Sequence, residues 1–181
     1  NISRVNATIT YPAKFMFIAS MNPCPCGYYG DPTHECTCSQ GSIDRYLGKI
    51  SNPLLDRIDI HIEVLPVAYK DLNNDIKQES SSTIRERVKR AREIQLERYK
   101  EDKIFNNSQI LTKDIKKYCK LSSSSERIMK KAFIKYKFSG RTYNKLLKIS
   151  RTIADLDGKE NIEDEHILEA IRYRTLDNKY W

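Results

Sequence analysis

The rhythm of apolar and polar positions changes near residue 70. Before it the chain reads as strands and turns. Residues 5–11 are β-prone, and residues 14–20 enclose the unbroken apolar run Phe15-Met16-Phe17-Ile18, the pattern of a buried strand. Further on, Ile58, Ile60, Ile62 and Val64 alternate with Asp59, His61 and Glu63, which predicts a half-buried strand over residues 58–65. Between these, residues 43–50 predict a short helix.

After residue 70 the spacing is helical throughout. Thr83-x-x-Glu86 reads as a capping box opening a helix with Ile84, Val88, Ala91, Ile94 and Gln95 along one face. Asn106-Asn107-Ser108 is a loop, and Thr112 is placed as the cap of a short helix running to Cys119, itself expected as a small core residue. Ser123-x-x-Glu126 is a second capping box, before Ile128, Met129, Ala132, Phe133 and Tyr136. Ser139-Gly140 breaks that helix. The next starts near Arg141, carries Tyr143, Leu146, Leu147, Ser150 and Ala154 inward, and stops at Asp157-Gly158. A last helix holds Ile167, Ala170 and Ile171. Five helices without strands do not share the core of the preceding sheet. The expectation is therefore an α+β chain: part of an α/β domain over 1–70, an all-α domain over 71–181, and a linker near 70–81.

A length of 181 residues suits one medium domain or two small ones, and 39% hydrophobic with 31% charged residues is the make-up of a soluble globular protein. No apolar run reaches the roughly 18–20 residues of a membrane span, and no signal-peptide pattern opens the chain. Beginning on Asn1, the sequence reads as a fragment of something longer, with the cytoplasm as expected location. The formal charge of +8 is uneven: from Thr112 to Arg151 there are thirteen bases and only two acids, Asp114 and Glu126. Such a block suits nucleic acid or nucleotide phosphates; the alternative is a solvated helical surface.

Chemistry concentrates in one loop. Cys24-Pro25-Cys26-Gly27 is followed, with nine residues between Cys26 and Cys36, by Cys36-Thr37-Cys38. In a reducing compartment such clusters bind metal more often than they form disulfides. Four thiolates fit one closed, structural tetrahedral zinc, with His34 as a substitute ligand; the alternative is a reduced loop without metal. The one-residue gaps are tighter than the familiar Cys-x-x-Cys. Just before the loop, Asn22 follows the apolar run, where open α/β sheets place ligands.

Asn22 after its strand, the segment Asn52-Pro53-Leu54-Leu55-Asp56-Arg57-Ile58-Asp59, and Ser139-Gly140-Arg141 opening a helix together resemble the AAA+ ATPases. The loop Asn22-Pro23-Cys24-Pro25-Cys26-Gly27, the stretch from Arg151 to Leu156, and the tail Tyr173-Arg174-Thr175-Leu176-Asp177 narrow this to the magnesium-chelatase-like branch and its ComM/YifB subfamily. The resemblance covers essentially the whole chain, and the double Cys-x-Cys loop is its most specific element.

The resemblance implies a C-terminal part of an AAA+ α/β core, with a partial parallel sheet, followed by an all-helical lid. It implies that Asn22 is sensor 1, a neutral amide orienting water against the γ-phosphate. Arg57 would be the arginine finger reaching a neighbouring subunit's nucleotide, and Arg141 sensor 2 at an exposed helix N-terminus; Arg151 is a weaker nucleotide contact. On the residues alone, Asn22 also reads as a turn cap, Arg57 as an ion pair with Asp56 or Asp59, and Arg141 as one more base. Gly-x-x-x-x-Gly-Lys-[Ser/Thr] and an acidic pair closing an apolar strand are both absent from the sequence, so this segment alone is not expected to hydrolyse ATP.

The leading expectation is the sensor, finger and lid portion of a hexameric ATPase that uses ATP and Mg2+, contacts its neighbours in a homo-hexamer, and moves branched DNA during recombination. The alternative is a non-enzymatic, zinc-stabilised basic helical module that binds nucleic acid or a partner protein. A metal-chelatase subunit is a third reading, against which the cysteine loop argues.

Overall fold

The computed structural model describes residues 1–5, 7–13, 15–67, 69 and 78–174. It is a mixed α and β chain with two separate cores of very different size. Strands β1 (Ile2–Arg4) and β2 (Ala7–Ile9) form an antiparallel hairpin with Ile2 opposite Ile9. Helices α1 (Gln40–Leu47) and α2 (Asn52–Leu55) follow. The helical part comprises α3 (Ser81–Arg98), α4 (Ile115–Tyr118), α5 (Ser123–Tyr136), α6 (Gly140–Leu156) and α7 (Asp164–Arg172), with 3₁₀ turns at Asn107–Gln109 and Thr112–Asp114.

The three longest helices each begin on a serine hydroxyl that satisfies an orphan amide. Ser80 accepts from the Thr83 amide, Ser122 from that of Ser125, and Ser139 from that of Thr142. The first two caps lie upstream of the expected Thr83 and Ser123. In runs such as Ser80-Ser81-Ser82-Thr83 the first hydroxyl with extended backbone takes the role and the helix gains residues. At 112 the correction is different: Leu111 is the cap residue, with no side-chain bond, and a 3₁₀ turn precedes α4. Helix α6 ends at Gly158, whose φ of +71° lets the Lys159 amide return to the Ala154 carbonyl.

Helix α6 is central, packing against α3 and α7, while α5 packs on α7. Its inner face buries Leu146, Leu147, Ser150 and Ala154, and meets Met129 and Ala132 of α5, Ile167, Ala170 and Ile171 of α7, and Cys119. Burial on α3 is confined to its second half, where Ala91 and Gln95 are buried whereas Ile84 and Val88 are exposed, and Tyr99 just after the helix joins this core.

The first 67 residues depart from expectation. The described residues hold no parallel sheet; their one sheet is the antiparallel hairpin. Residues 15–20 and 58–65 are not paired strands, and Met16 is 84% and Val64 88% exposed. A strand is stable only with neighbours to take its backbone bonds and cover its side chains, and no described segment pairs with either run. Residues 14, 70–77 and 175–177, which carried the start of the first expected strand, most of the linker and the end of the tail motif, lie outside the described residues. Among the described residues no helix is long and apolar enough to cross a membrane.

Candidate functional site

The cysteine loop closes on itself. The Gly27 amide donates to the Cys24 carbonyl, and Gly27 turns at φ +90°, which brings Cys26 back beside Cys24. Asp31 ties the far end, its carboxylate accepting from the amides of Thr33 and His34 and from the Thr33 hydroxyl. The apolar floor is α1, whose Ile43 and Leu47 form a small core with fully buried Cys24.

Four thiols converge here. The Sγ atoms of Cys24 and Cys26 are 3.3 Å apart, those of Cys24 and Cys36 3.7 Å, and those of Cys26 and Cys36 3.5 Å. With Cys38 the set lies within 4.8 Å, and none is in a disulfide. Zinc–sulfur bonds of about 2.3 Å place tetrahedral corners about 3.8 Å apart, so the donor set fits one such ion. His34 is no part of it: its ring stacks on Tyr28, and Nδ1 contacts the Thr33 hydroxyl. The thiols are electrostatically unequal. Backbone hydrogen bonding at Tyr28, against desolvation and aided by Cys24, lowers Cys26 to about 5. In Cys36 the backbone hydrogen bond at Cys38 lowers the pKa, but desolvation and the neighbouring thiols outweigh it and push it up to about 12. Four thiolates at this spacing repel one another; a cation among them removes that cost.

The second cluster joins segments far apart in sequence. Asp56, just after α2, accepts from the Ser139 hydroxyl at 3.1 Å on both oxygens and from the Thr142 hydroxyl. Arg141 Nη1 is 3.7 Å from the same carboxylate. Lys145 Nζ donates to the Arg57 carbonyl and pairs with Asp59 at 2.9 Å. Arg174, 1% exposed, donates to the carbonyls of Leu55 and Ile58. The hydroxyl bonds hold Asp56 below the usual carboxylate range although burial opposes them, and Arg174 and Arg141 add to the lowering.

The sequence-derived candidates distribute as follows. Arg141 lies 3.7 Å from Asp56, the residue that precedes Arg57 in the chain, and both arginines are exposed. Arg57 Nη1 folds back to the Pro53 carbonyl at 2.7 Å. The α6 N-terminus expected to stand open to phosphate instead holds the Asp56 carboxylate, a negative group where the helix dipole favours one. Asn22 is exposed on the stretch entering the cysteine turn. Arg151 is buried and spends its donors internally, on Asp155 and on the carbonyls of Lys159 and Glu160, so it is carried no further as a nucleotide contact.

Sequence reasoning missed a buried network under α6. Asp155, with no exposed side-chain surface, pairs with Arg98 at 2.5 Å and Arg151 at 3.1 Å. Asn107 donates to it at 2.8 Å and accepts from the Tyr99 hydroxyl at 2.6 Å. The i,i+4 spacing of Arg151 and Asp155 on an apolar face was a usable signal; Arg98 and Asn107 left none. A second group, Asp157, Glu165 and His166, gathers within metal distance. His166 Nδ1, however, accepts the Glu163 amide of its own helix cap, which leaves the proton on Nε2, 3.5 Å from Asp157, so that neither ring nitrogen is free to ligate.

Comparison with known proteins follows the same division. The family model for magnesium chelatase, subunit ChlI, matches residues 1–72, and that for the magnesium chelatase ChlI C-terminal region matches residues 78–174. The chain is 43% identical over 176 residues to the competence protein ComM of Haemophilus influenzae, covering 97% of this chain and 33% of that protein. It is 38% identical over 178 residues to the uncharacterized protein YifB of Escherichia coli, covering 98% of this chain and 34% of the relative. An uncharacterized Mycobacterium tuberculosis protein is 28% identical over 176 residues, covering 96% of this chain and 34% of the relative. The chain thus spans about a third of the length of the curated relatives it matches.

Proposed function

We propose, from the premise that this chain belongs to the magnesium chelatase ChlI family, that it is the sensor, finger and lid portion of an AAA+ ATPase that works on DNA as a ring of identical subunits, six in the reading adopted here. Residues 1–70 belong in this reading to the α/β core, and residues 71–181 form the lid. The ChlI family relationship supports use of ATP and Mg2+ by the protein of which this segment forms about a third. The word competence in the name of the Haemophilus relative, together with the exposed bases of α5, favours DNA as the substrate. Bound ATP supplies the phosphoanhydride whose hydrolysis drives the motor.

The chain's own residues have distinct tasks. Arg57 offers a permanently charged, planar fork from an exposed turn, suited to the charge that develops on a transferred phosphoryl group. Arg141 adds a second guanidinium at the start of α6, next to Asp56. Asn22 orients water through an uncharged amide. Cys24, Cys26, Cys36 and Cys38 hold a structural zinc whose closed ligand set leaves no open position, so its work is to shape the loop that Asn22 enters.

One observation carries the reading: the Arg57 backbone is docked against α6 through Lys145 while its side chain stays exposed. The alternative of a free-standing basic module is not favoured, because it gives that arrangement no purpose. In the full-length protein, Arg57→Ala is expected to lower turnover about 10³–10⁵-fold with nucleotide binding nearly unchanged. Undiminished turnover would refute the finger assignment.

A further inference from the structure

Residues 56–61 follow a one-turn helix and form no regular element, yet bonds from α6 and from the end of α7 hold them at several points. Ser139 takes part twice, accepting the Thr142 amide as cap and donating its proton to Asp56. Thr142 donates to the same carboxylate, so Asp56 closes the first turn of α6 from outside. Lys145, one turn further along, holds the carbonyl of the next residue, Arg57. Arg174 grips the carbonyls on either side, at Leu55 and Ile58, and the His61 amide donates to the Tyr173 carbonyl at 3.0 Å.

We infer that Asp56 is a positioning residue: it locks the Arg57 turn to the start of α6, so that Arg57 and Arg141 are carried by one rigid unit. The inference rests on reading Arg57 as the group that meets ATP. Its physical content is a constraint. A short turn without ladder bonds samples many backbone states, and catalytic positioning is lost with displacements near 1 Å. Bonds to one helix remove that freedom and oblige the turn to follow any movement of α6. A lid displacement sensed at Arg141 is thereby delivered to Arg57. Only an acceptor with two oxygens on a short stem meets the Ser139 and Thr142 hydroxyls while facing the guanidinium groups of Arg141 at 3.7 Å and Arg174 at 3.9 Å. Aspartate does this fully, asparagine only in part, and alanine not at all.

The test uses the full-length protein and two readouts, amide hydrogen exchange by mass spectrometry and steady-state ATPase kinetics. In Asp56→Ala, exchange over residues 57–61 rises while residues 146–171 stay protected. Its kcat falls about 10–100-fold, the cost of misplacing a catalytic group, while KM for ATP holds. Asp56→Asn lies between that variant and the wild type. Lys145→Ala, which removes the hold on the Arg57 carbonyl and the pair with Asp59, moves both readouts in the same direction by less, and serves if Asp56→Ala does not fold. Wild-type exchange over 57–61 in Asp56→Ala and Lys145→Ala overturns the lock, even if Arg57→Ala abolishes turnover. Raised exchange with unchanged kcat overturns the positioning role. Should Arg57→Ala itself retain full turnover, the finger reading fails, and the exchange arm still decides whether Asp56 docks the turn.

Discussion

The helical part and the first 67 residues solve the problem of burial in opposite ways. Residues 78–174 contain a contiguous core centred on α6 and a fully partnered buried charge beneath it. The earlier residues bury only Cys24, Ile43 and Leu47 together, and leave Phe15, Met16, Ile62 and Val64 exposed. A core of three residues contributes too little to offset the ordering of a loop of this length. On the proposed reading that region is held by a metal at the four thiols and by bonds to the helices at Asp56 and Arg174.

That contrast can be broken most forcefully at the thiols. Stripping metal with a chelator, or changing Cys24 and Cys36 to Ser, is expected to cost the loop its order altogether, since structural zinc contributes about 10–16 kcal/mol of apparent binding energy. Amide exchange over residues 22–47 should rise to that of an open chain, while the helical part keeps its protection. Elemental analysis should find one zinc per chain and titration four protected thiols; free thiols and no metal would remove the clip. The next effect belongs to the other region. Asp155→Ala leaves Arg98 and Arg151 facing each other in the interior, and should lower the stability of the helical part by about 3–5 kcal/mol in denaturant melts.

Acid sharpens the boundary between the two. The Asp56 carboxylate has its pKa lowered in the folded state, so its contribution is complete above the unfolded value of about 3.9 and fades as pH falls through the folded one. Protection over residues 57–61, taken relative to the intrinsic exchange rate at each pH, should therefore fall at acid pH before the α6 core opens, and Asp56→Asn should flatten that dependence. The smallest structural effect is expected on the basic face. Reversing Lys130, Lys131 and Lys135 to Glu should change stability by no more than about 0.5 kcal/mol each. It should nonetheless weaken DNA binding across sequences, and reduce the salt slope by about one for each lysine that meets a phosphate.

How far the sequence could be read follows the same division. Helix periodicity and hydroxyl caps are local, so α3, α5, α6 and α7 were legible to within a few residues, as was the convergence of the cysteines. The apolar run at 15–18 and the alternation at 58–64 report the period of a strand correctly, but a strand also needs partners, and period does not supply them. Asp56 stood in the sequence only as an alternative ion-pair partner for Arg57, alongside Asp59; its hydroxyl partners lie 83 and 86 positions away at Ser139 and Thr142. Arg151 was read by charge alone, whereas burial and the carbonyls at Lys159 and Glu160 decide its role.

The claim on which the account turns is that Arg57 acts on ATP held by an adjoining subunit. It is tested most directly by mixing two full-length proteins that are each inactive, Arg57→Ala and a variant unable to bind ATP. Mixed rings contain interfaces that pair an intact Arg57 with an intact nucleotide site, so ATPase activity should reappear on mixing. A mixture as inactive as its components, with mixed rings demonstrated, would contradict action across the subunit boundary.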